Sequence, residues 1–144
     1  MSLWFEIILA PLLSMIVVQS IKLAIDGIKG NFTLGDFMTA YGGMPSSHSA
    51  VVVSLCASVA YTSGVNSAAF AIAVVFSVIV ISDAISLRKV VDNNSKSVQK
   101  LINRLPESDR TGFLPNPRKI EHTFPQVLVG GLIGFIIAFL INLF

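Results

Sequence analysis

Charged side chains are scarce in this sequence, and so are the residues of metal and redox chemistry. Only 12% of the 144 residues are Asp, Glu, Lys or Arg, about half the share of an ordinary soluble domain. With 53% hydrophobic residues and a mean hydropathy of +0.78, that deficit points to the bilayer as solvent. The one cysteine, Cys56, lies inside an apolar run, so an intrachain disulfide is excluded. Two histidines, without a carboxylate cluster or a cysteine pair, are a weak metal signal, and no metal or cofactor is expected. No basic residue precedes the first apolar run and no clear small-residue cleavage site closes it, so it reads as a mature helix and not a signal peptide. The length leaves room for one domain, expected over 1–144, and no repeat has a clear signature.

Four apolar stretches are long enough for a hydrocarbon core of about 30 Å, which takes about 20 helical residues. They run over about 3–25, with Pro11 as a candidate kink, 45–62, 67–87 and 125–144. Ser63-Gly64-Val65-Asn66 has turn chemistry and makes the second and third spans antiparallel neighbours. The expected fold class is all-α, a polytopic membrane bundle of about four transmembrane helices plus a short amphipathic interfacial helix.

All ten Lys and Arg fall at the end of span one, in the loop after it, or between spans three and four. Four alternating spans put those regions on one membrane side. The positive-inside rule makes that side cytoplasmic and leaves both termini outside, in what the reading takes as the plasma membrane. Between spans three and four, Val91, Val98, Leu101, Ile102 and Leu105 recur at helical spacing, with Lys96, Lys100 and Arg104 at i,i+4 steps. That is the pattern of an amphipathic helix on the membrane surface. From Pro106 to Lys119, three prolines, Gly112 and mixed charges read as a loop or lid. Topology and anionic headgroups account for the basic charge, so no nucleic-acid partner is expected.

The chemistry-bearing residues gather on the basic side. Gly42-Gly43-Met44-Pro45-Ser46-Ser47-His48-Ser49-Ala50 opens span two. Pro45 suits the first helical position, the glycines allow close backbone approach, and free N–H groups with the hydroxyls form an anion site. An ordinary capped helix start explains the serines and the proline, but not His48 or the paired glycines. His122 opens span four on the same face, and Gln126 either completes a capping box with Thr123 or orients the imidazole. Asp83 and Arg88 close span three, as a structural ion pair or as the lining of a polar cavity. Lys22 closes span one, where position alone favours snorkelling to the surface. Two imidazoles, two cations and a helix start brought to one point suit phosphoryl transfer, with one histidine attacking phosphorus and the other protonating the leaving oxygen.

The string from Gly42 to Ala50, the Asp83…Arg88 pair and His122…Gln126 resemble the divergent branch of the type 2 phosphatidic acid phosphatase family, related to acid phosphatases and vanadium-dependent haloperoxidases. The resemblance runs over nearly the whole chain. It implies phosphate contacts from Ser46, Ser47, Arg88 and Lys22, a general acid at His48, a nucleophile at His122, and a phosphohistidine hydrolysed by water without a metal. The family's acidic residue four after the nucleophile is here Gln126, and Arg88 is separated from His122 by a long loop. The expected function is hydrolysis of a membrane lipid phosphate, monoester or pyrophosphate, at the cytoplasmic face. The alternatives are a non-catalytic lipid-phosphate binder or transporter on the same fold, and a membrane scaffold built on Gly130-x-x-x-Gly134. That motif suits packing within the bundle better, and a homo-oligomer is compatible with the sequence.

Overall fold

The computed structural model describes residues 3–26, 44–110, 112 and 124–143. Among these are four α-helices, α1 (Leu3–Asp26), α2 (Ser47–Ser63), α3 (Ala68–Ile102) and α4 (Phe124–Leu143), with a 3-10 turn at Glu107–Arg110. The chain is an all-α membrane bundle. Hydrocarbon offers no partner to backbone N–H and C=O groups, so apolar segments must satisfy them internally as helices. Three helices are long and apolar enough to cross a membrane: Phe5–Ile25, Ala68–Ile102 and Phe124–Leu143. The remaining one, α2, has 17 residues, about 26 Å of helix, at the short end of the spanning range.

That short helix is the centre of the bundle, since α1, α3 and α4 all pack on it. Its sequence explains why it needs the company. Ser49, Ser54 and Ser58 lie inside α2 and Ser46 caps it, and all four are buried together with Ala50, Val52 and Val59. Ser54 and Thr62 return their hydroxyls to the carbonyls of Val51 and Ser58, at 2.9 and 2.8 Å. The other helices turn large apolar residues outward, such as Ile72, Val75 and Ile79 on α3 or Leu132, Phe135 and Phe139 on α4. The polar groups are inside and the apolar ones outside, as a lipid solvent requires.

Helices α2 and α4 run parallel and in register. A Cβ added at Gly130 would overlap the Ser46 carbonyl oxygen, and one at Gly134 would overlap that of Ala50. Further along, Asn142 Nδ2 donates to Ser58 Oγ at 3.1 Å. Each of these pairs is separated by the same 84 positions. The glycine pair therefore serves contact within the bundle, as expected of small residues at membrane-helix interfaces.

The link between α2 and α3 also follows its sequence. Gly64, with φ of 81°, ends α2 through an N–H bond to the Ala60 carbonyl. Ser67 caps α3 by accepting from the Phe70 N–H at 3.1 Å. Antiparallel packing then places Ser77 Oγ 3.2 Å from the Val52 carbonyl and 3.0 Å from Cys56 Sγ.

Two features differ from the sequence expectation. The amphipathic segment is helical, but it continues α3 without a break to Ile102. No proline or glycine lies between Ala68 and Ile102 to end the helix earlier. It ends at Asn103, ahead of Pro106, where the Arg110 guanidinium donates to the Asn103 and Leu105 carbonyls at 2.8 and 2.9 Å. Pro45 is not the first helical residue. Ser46 is the N-cap in extended conformation (φ −76°, ψ 116°), which leaves Pro45 one residue outside the helix.

The register makes a stability prediction. Gly134→Leu is expected to destabilise the bundle by about 1–3 kcal/mol or more, since backbone faces backbone there and overpacking has no flexible neighbour to absorb it. Gly131→Ala, whose added Cβ would first meet Val53 Cγ2 at 3.4 Å, should be close to neutral. Asn142→Leu removes one interhelical hydrogen bond, to Ser58 Oγ, and one within α4, to the Ala138 carbonyl at 2.7 Å; an interhelical bond in a membrane is worth about 0.6 kcal/mol on average, so this variant should fall between the two. Thermal unfolding of the detergent-purified variants, followed by size-exclusion of the surviving fraction, checks the order.

Candidate functional site

The candidate site is at the bundle end where α2 and α4 both begin. The backbone N–H of Ser46 donates to the Gln126 carbonyl at 3.0 Å, joining the first turns of the two helices. The Ser46 hydroxyl is buried and accepts from the Ser49 N–H at 3.4 Å, longer than an ordinary N–H···O bond and so a weak cap. Ser49 Oγ donates back to the Ser46 carbonyl at 3.0 Å. The first intrahelical bond of α2 runs from the Ala50 N–H to that same carbonyl. The N–H groups of Ser47 and His48 come before it, with no carbonyl four residues back inside the helix.

This geometry separates the three serines. Ser46 and Ser49 are buried and hold the helix start, whereas Ser47 and His48 are half-buried in its first turn. A ligand at this end would meet the Ser47 hydroxyl, the His48 ring and the positive end of the helix dipole. His48, Gln126 and Lys22 each have an interaction partner.

The third contribution comes from α3. Seven residues beyond Ser77 on α3 lie level with seven residues before Val52 on the antiparallel α2, because both rise about 1.5 Å per residue. The α3 turn that starts at Ala84 therefore lies level with Pro45, at the same end as the α2 and α4 starts. Ala84 is buried against the bundle, and Asp83 beside it is exposed. Arg88 follows one turn later on the same helix. The Arg88 side chain lies outside the described residues, as do His122, Gly42 and Gly43.

Lys22 corrects one expectation. It is 2% exposed, so it does not snorkel. Ala10, Ser14, Val18 and Lys22 recur at i,i+4 steps as a fully buried stripe on α1, and Gln19 is buried beside it. A lysine on that stripe faces protein, where an ammonium is tolerated only with compensating polar neighbours.

Sequence reasoning missed one acidic residue. Asp92 is 6% exposed although Val91 and Asn93 on either side are exposed, and Lys96 pairs with it at 2.5 Å. The i,i+4 spacing of Asp92 and Lys96 was the available signal. Among the described residues no group of three or more His, Cys, Asp or Glu is placed to hold a metal ion.

The chain has similarity to known proteins over almost its full length. It is 29% identical over 148 residues to YuiD, an uncharacterized membrane protein of Bacillus subtilis (strain 168), covering 95% of this chain and 94% of that one. No solved structure matches it significantly. The model of the divergent PAP2 family matches residues 5–137, a stretch that contains all three helix ends gathered here as well as His122 and Arg88. This membrane bundle therefore belongs to the divergent PAP2 family.

Proposed function

We propose that the protein hydrolyses a membrane lipid phosphate, monoester or pyrophosphate, without a metal and through a phosphohistidine. The Ser46–Gln126 backbone bond is the observation that carries this reading. It joins the helix start that bears His48 to the helix that begins two residues after His122, and so supports a site made from both histidines. Family membership supports a phosphatase-related chemistry.

In the proposed reaction, a ring nitrogen of His122 forms the new P–N bond as the P–O bond to the lipid breaks. His48 gives its proton to the leaving oxygen. Water then attacks the phosphohistidine and releases inorganic phosphate, and His48, now the base, takes up a proton from that water. Arg88, Lys22, the Ser47 hydroxyl and the first N–H groups of α2 neutralise the three phosphate oxygens. Ser46 serves as the cap that holds those N–H groups in place, a smaller role than direct contact through its side chain. Asp83, Gly42 and Gly43 are supporting residues. The distribution of Lys and Arg supports a cytoplasmic active face, with both termini outside and the plasma membrane as the location.

One residue favours a second reading, that of a lipid-phosphate binder or transporter. Gln126 stands where the family resemblance leads one to expect an acid, and a neutral amide orients an imidazole without stabilising the imidazolium. A scaffold has less support, because Gly130 and Gly134 are already occupied by α2.

Phosphate release from a panel of lipid phosphates by the detergent-purified protein, with chelator and no added metal, is the test. His122→Ala should abolish release, and His48→Ala should lower it by about 10²–10⁴-fold, the usual size of a general-acid contribution. Release that ignores His122 would sink the hydrolase. Binding of the same lipids without release, lost in Lys22→Met, would establish the second reading instead. A separate comparison concerns Gln126: Gln126→Glu should raise kcat if His122 is the nucleophile, and should leave KM nearly unchanged.

A further inference from the structure

Helix α3 is much longer than a bilayer requires. Its 35 residues extend about 52 Å, against a hydrocarbon core of about 30 Å. Asp83 is exposed, and an exposed carboxylate is costly in hydrocarbon, so the helix leaves the core near this residue. Leu101 lies 18 residues further along the same unbroken helix. That is about 27 Å, and still about 20 Å at a tilt of about 40°, whereas the headgroup layer is only about 5–8 Å thick. From Val91 onward, α3 therefore stands in water.

The projecting part carries an apolar face that water does not explain. Leu87, Val91, Asn94, Val98 and Leu101 follow one another at alternating steps of four and three. The four apolar members are exposed, from 49% at Val91 to 61% at Leu101. The spacing is that of a coiled-coil seam, with Val91 and Val98 at position a and Leu87, Asn94 and Leu101 at d. Lys89, Lys96 and Lys100 fall at the outer positions f, f and c and are exposed, and Lys96 pairs with Asp92 of its own helix. At the flanking e and g positions, Val90, Ser95, Ser97 and Ile102 are uncharged. Asp83 at g and Arg88 at e are opposite in sign and five residues apart, the offset at which g of one parallel helix meets e of the other. The flanks thus set no like charges against each other.

The seam stands about 60° around the helix from the buried line of Ala73, Ser77 and Ala84, the side that meets α2. Since α2 begins level with Ala84, it does not reach the seam. Three features select a second copy as the occupant. Valine at a with leucine at d favours two parallel strands. The one-sided distribution of Lys and Arg supports one orientation for every copy, so two projections stand parallel, as that seam requires. Asn94 meets an identical amide at its own level in an in-register pair, where each is both donor and acceptor, and a polar residue in a seam fixes register. Five layers are few for free peptides, but two chains held in one bilayer meet aligned and at high effective concentration. We propose that the protein pairs in the membrane through a parallel two-stranded coiled coil of Leu87–Leu101, projecting from the end that carries the candidate site. The pairing does not depend on phosphate turnover.

Disulfide trapping of the full-length protein, in vesicles at high lipid-to-protein ratio, tests the proposal. In a Cys56→Ser background, Val91→Cys, Val98→Cys and Leu101→Cys place single thiols in the seam. Asn93→Cys and Lys100→Cys place them at the outer position c. Under mild oxidation the seam variants should form covalent dimers at least about tenfold faster, because only there do two Cβ atoms come within disulfide reach. Differently tagged Val91→Cys and Val98→Cys proteins, mixed, should give few 91–98 joins, since seven residues set them about 10 Å apart along a parallel pair. Adding Val98→Glu should lower trapping at Leu101→Cys by about tenfold or more, as like carboxylates then meet in the seam, whereas Asn93→Glu should leave it unchanged. Wild type with one fluorophore at its carboxyl terminus should bleach in two steps at the same dilution, a count that needs no variant to fold. Equal trapping at seam and outer positions would overturn the proposal, as would abundant 91–98 joins, trapping indifferent to Val98→Glu, or bleaching in one step.

Discussion

The close approach of α4 to α2, with Gly130 and Gly134 against the carbonyls of Ser46 and Ala50, is the contact on which the rest of the structure depends. Lipid tails are as apolar as leucine side chains, so membrane helices gain little by hiding apolar surface from one another. Close van der Waals contact and interhelical hydrogen bonds hold them together instead. A constant offset of 84 positions extends from Ser46–Gly130 to Ser58–Asn142, so the helices cannot slide without separating all three contacts. The same register brings the Gln126 carbonyl to the Ser46 N–H. The geometry of the candidate site is thus a consequence of a packing requirement lower in the bundle.

The second constraint is the polarity of α2. A helix with so many buried serines would be a poor span by itself, because each hydroxyl facing lipid would need a partner. Placing it at the centre removes the difficulty, since Ser54 and Thr62 bond backward to their own helix and Ser58 and Val52 receive partners from α4 and α3. Small hydroxyl side chains also keep α2 thin enough for three neighbours to pack on it. Its first turn then has to end on the membrane face, where Ser47 and His48 are less enclosed than Ser46 and Ser49. A helix chosen for the interior of the bundle delivers a free N-terminus to the polar edge.

Much of this was legible in the residues, and the misses share a cause. The Ser63–Asn66 turn could be read because Gly64 supplies the left-handed φ it needs, and the membrane class because hydropathy is additive along the chain. Gly130-x-x-x-Gly134 could be assigned to packing but not to a partner helix, since any helix with small residues would serve. Pro45 suits both the first helical position and the one before a cap. The Ser46 bond to a residue 80 positions away decides between them. The place of Lys22 near a helix end favours snorkelling, although burial is compatible with it too. Only the direction of the Ala10–Ser14–Val18–Lys22 stripe separates them. Asp92 is similar: its enclosure depends on what packs over that side of α3, which periodicity does not contain.

Gln126 tests whether local structure or chemistry set the amino acid at the site. It is the third residue of α4, so a glutamate there would gain about 0.3–1 kcal/mol from the helix dipole at an exposed position. A capping box of the kind the sequence pattern Thr123-x-x-Gln126 suggests would accept Glu or Gln alike. The backbone bond to Ser46 uses the carbonyl and is indifferent to the side chain. None of the structural roles at this position explains an amide, and one of them disfavours it. If His122 is the nucleophile, the amide has a definite effect: the imidazole stays oriented but is less basic, so attack on phosphorus is slower. On that proposal the glutamine would act on the lifetime of the histidine's charged states, since the roles of this position in the fold would be met by either residue.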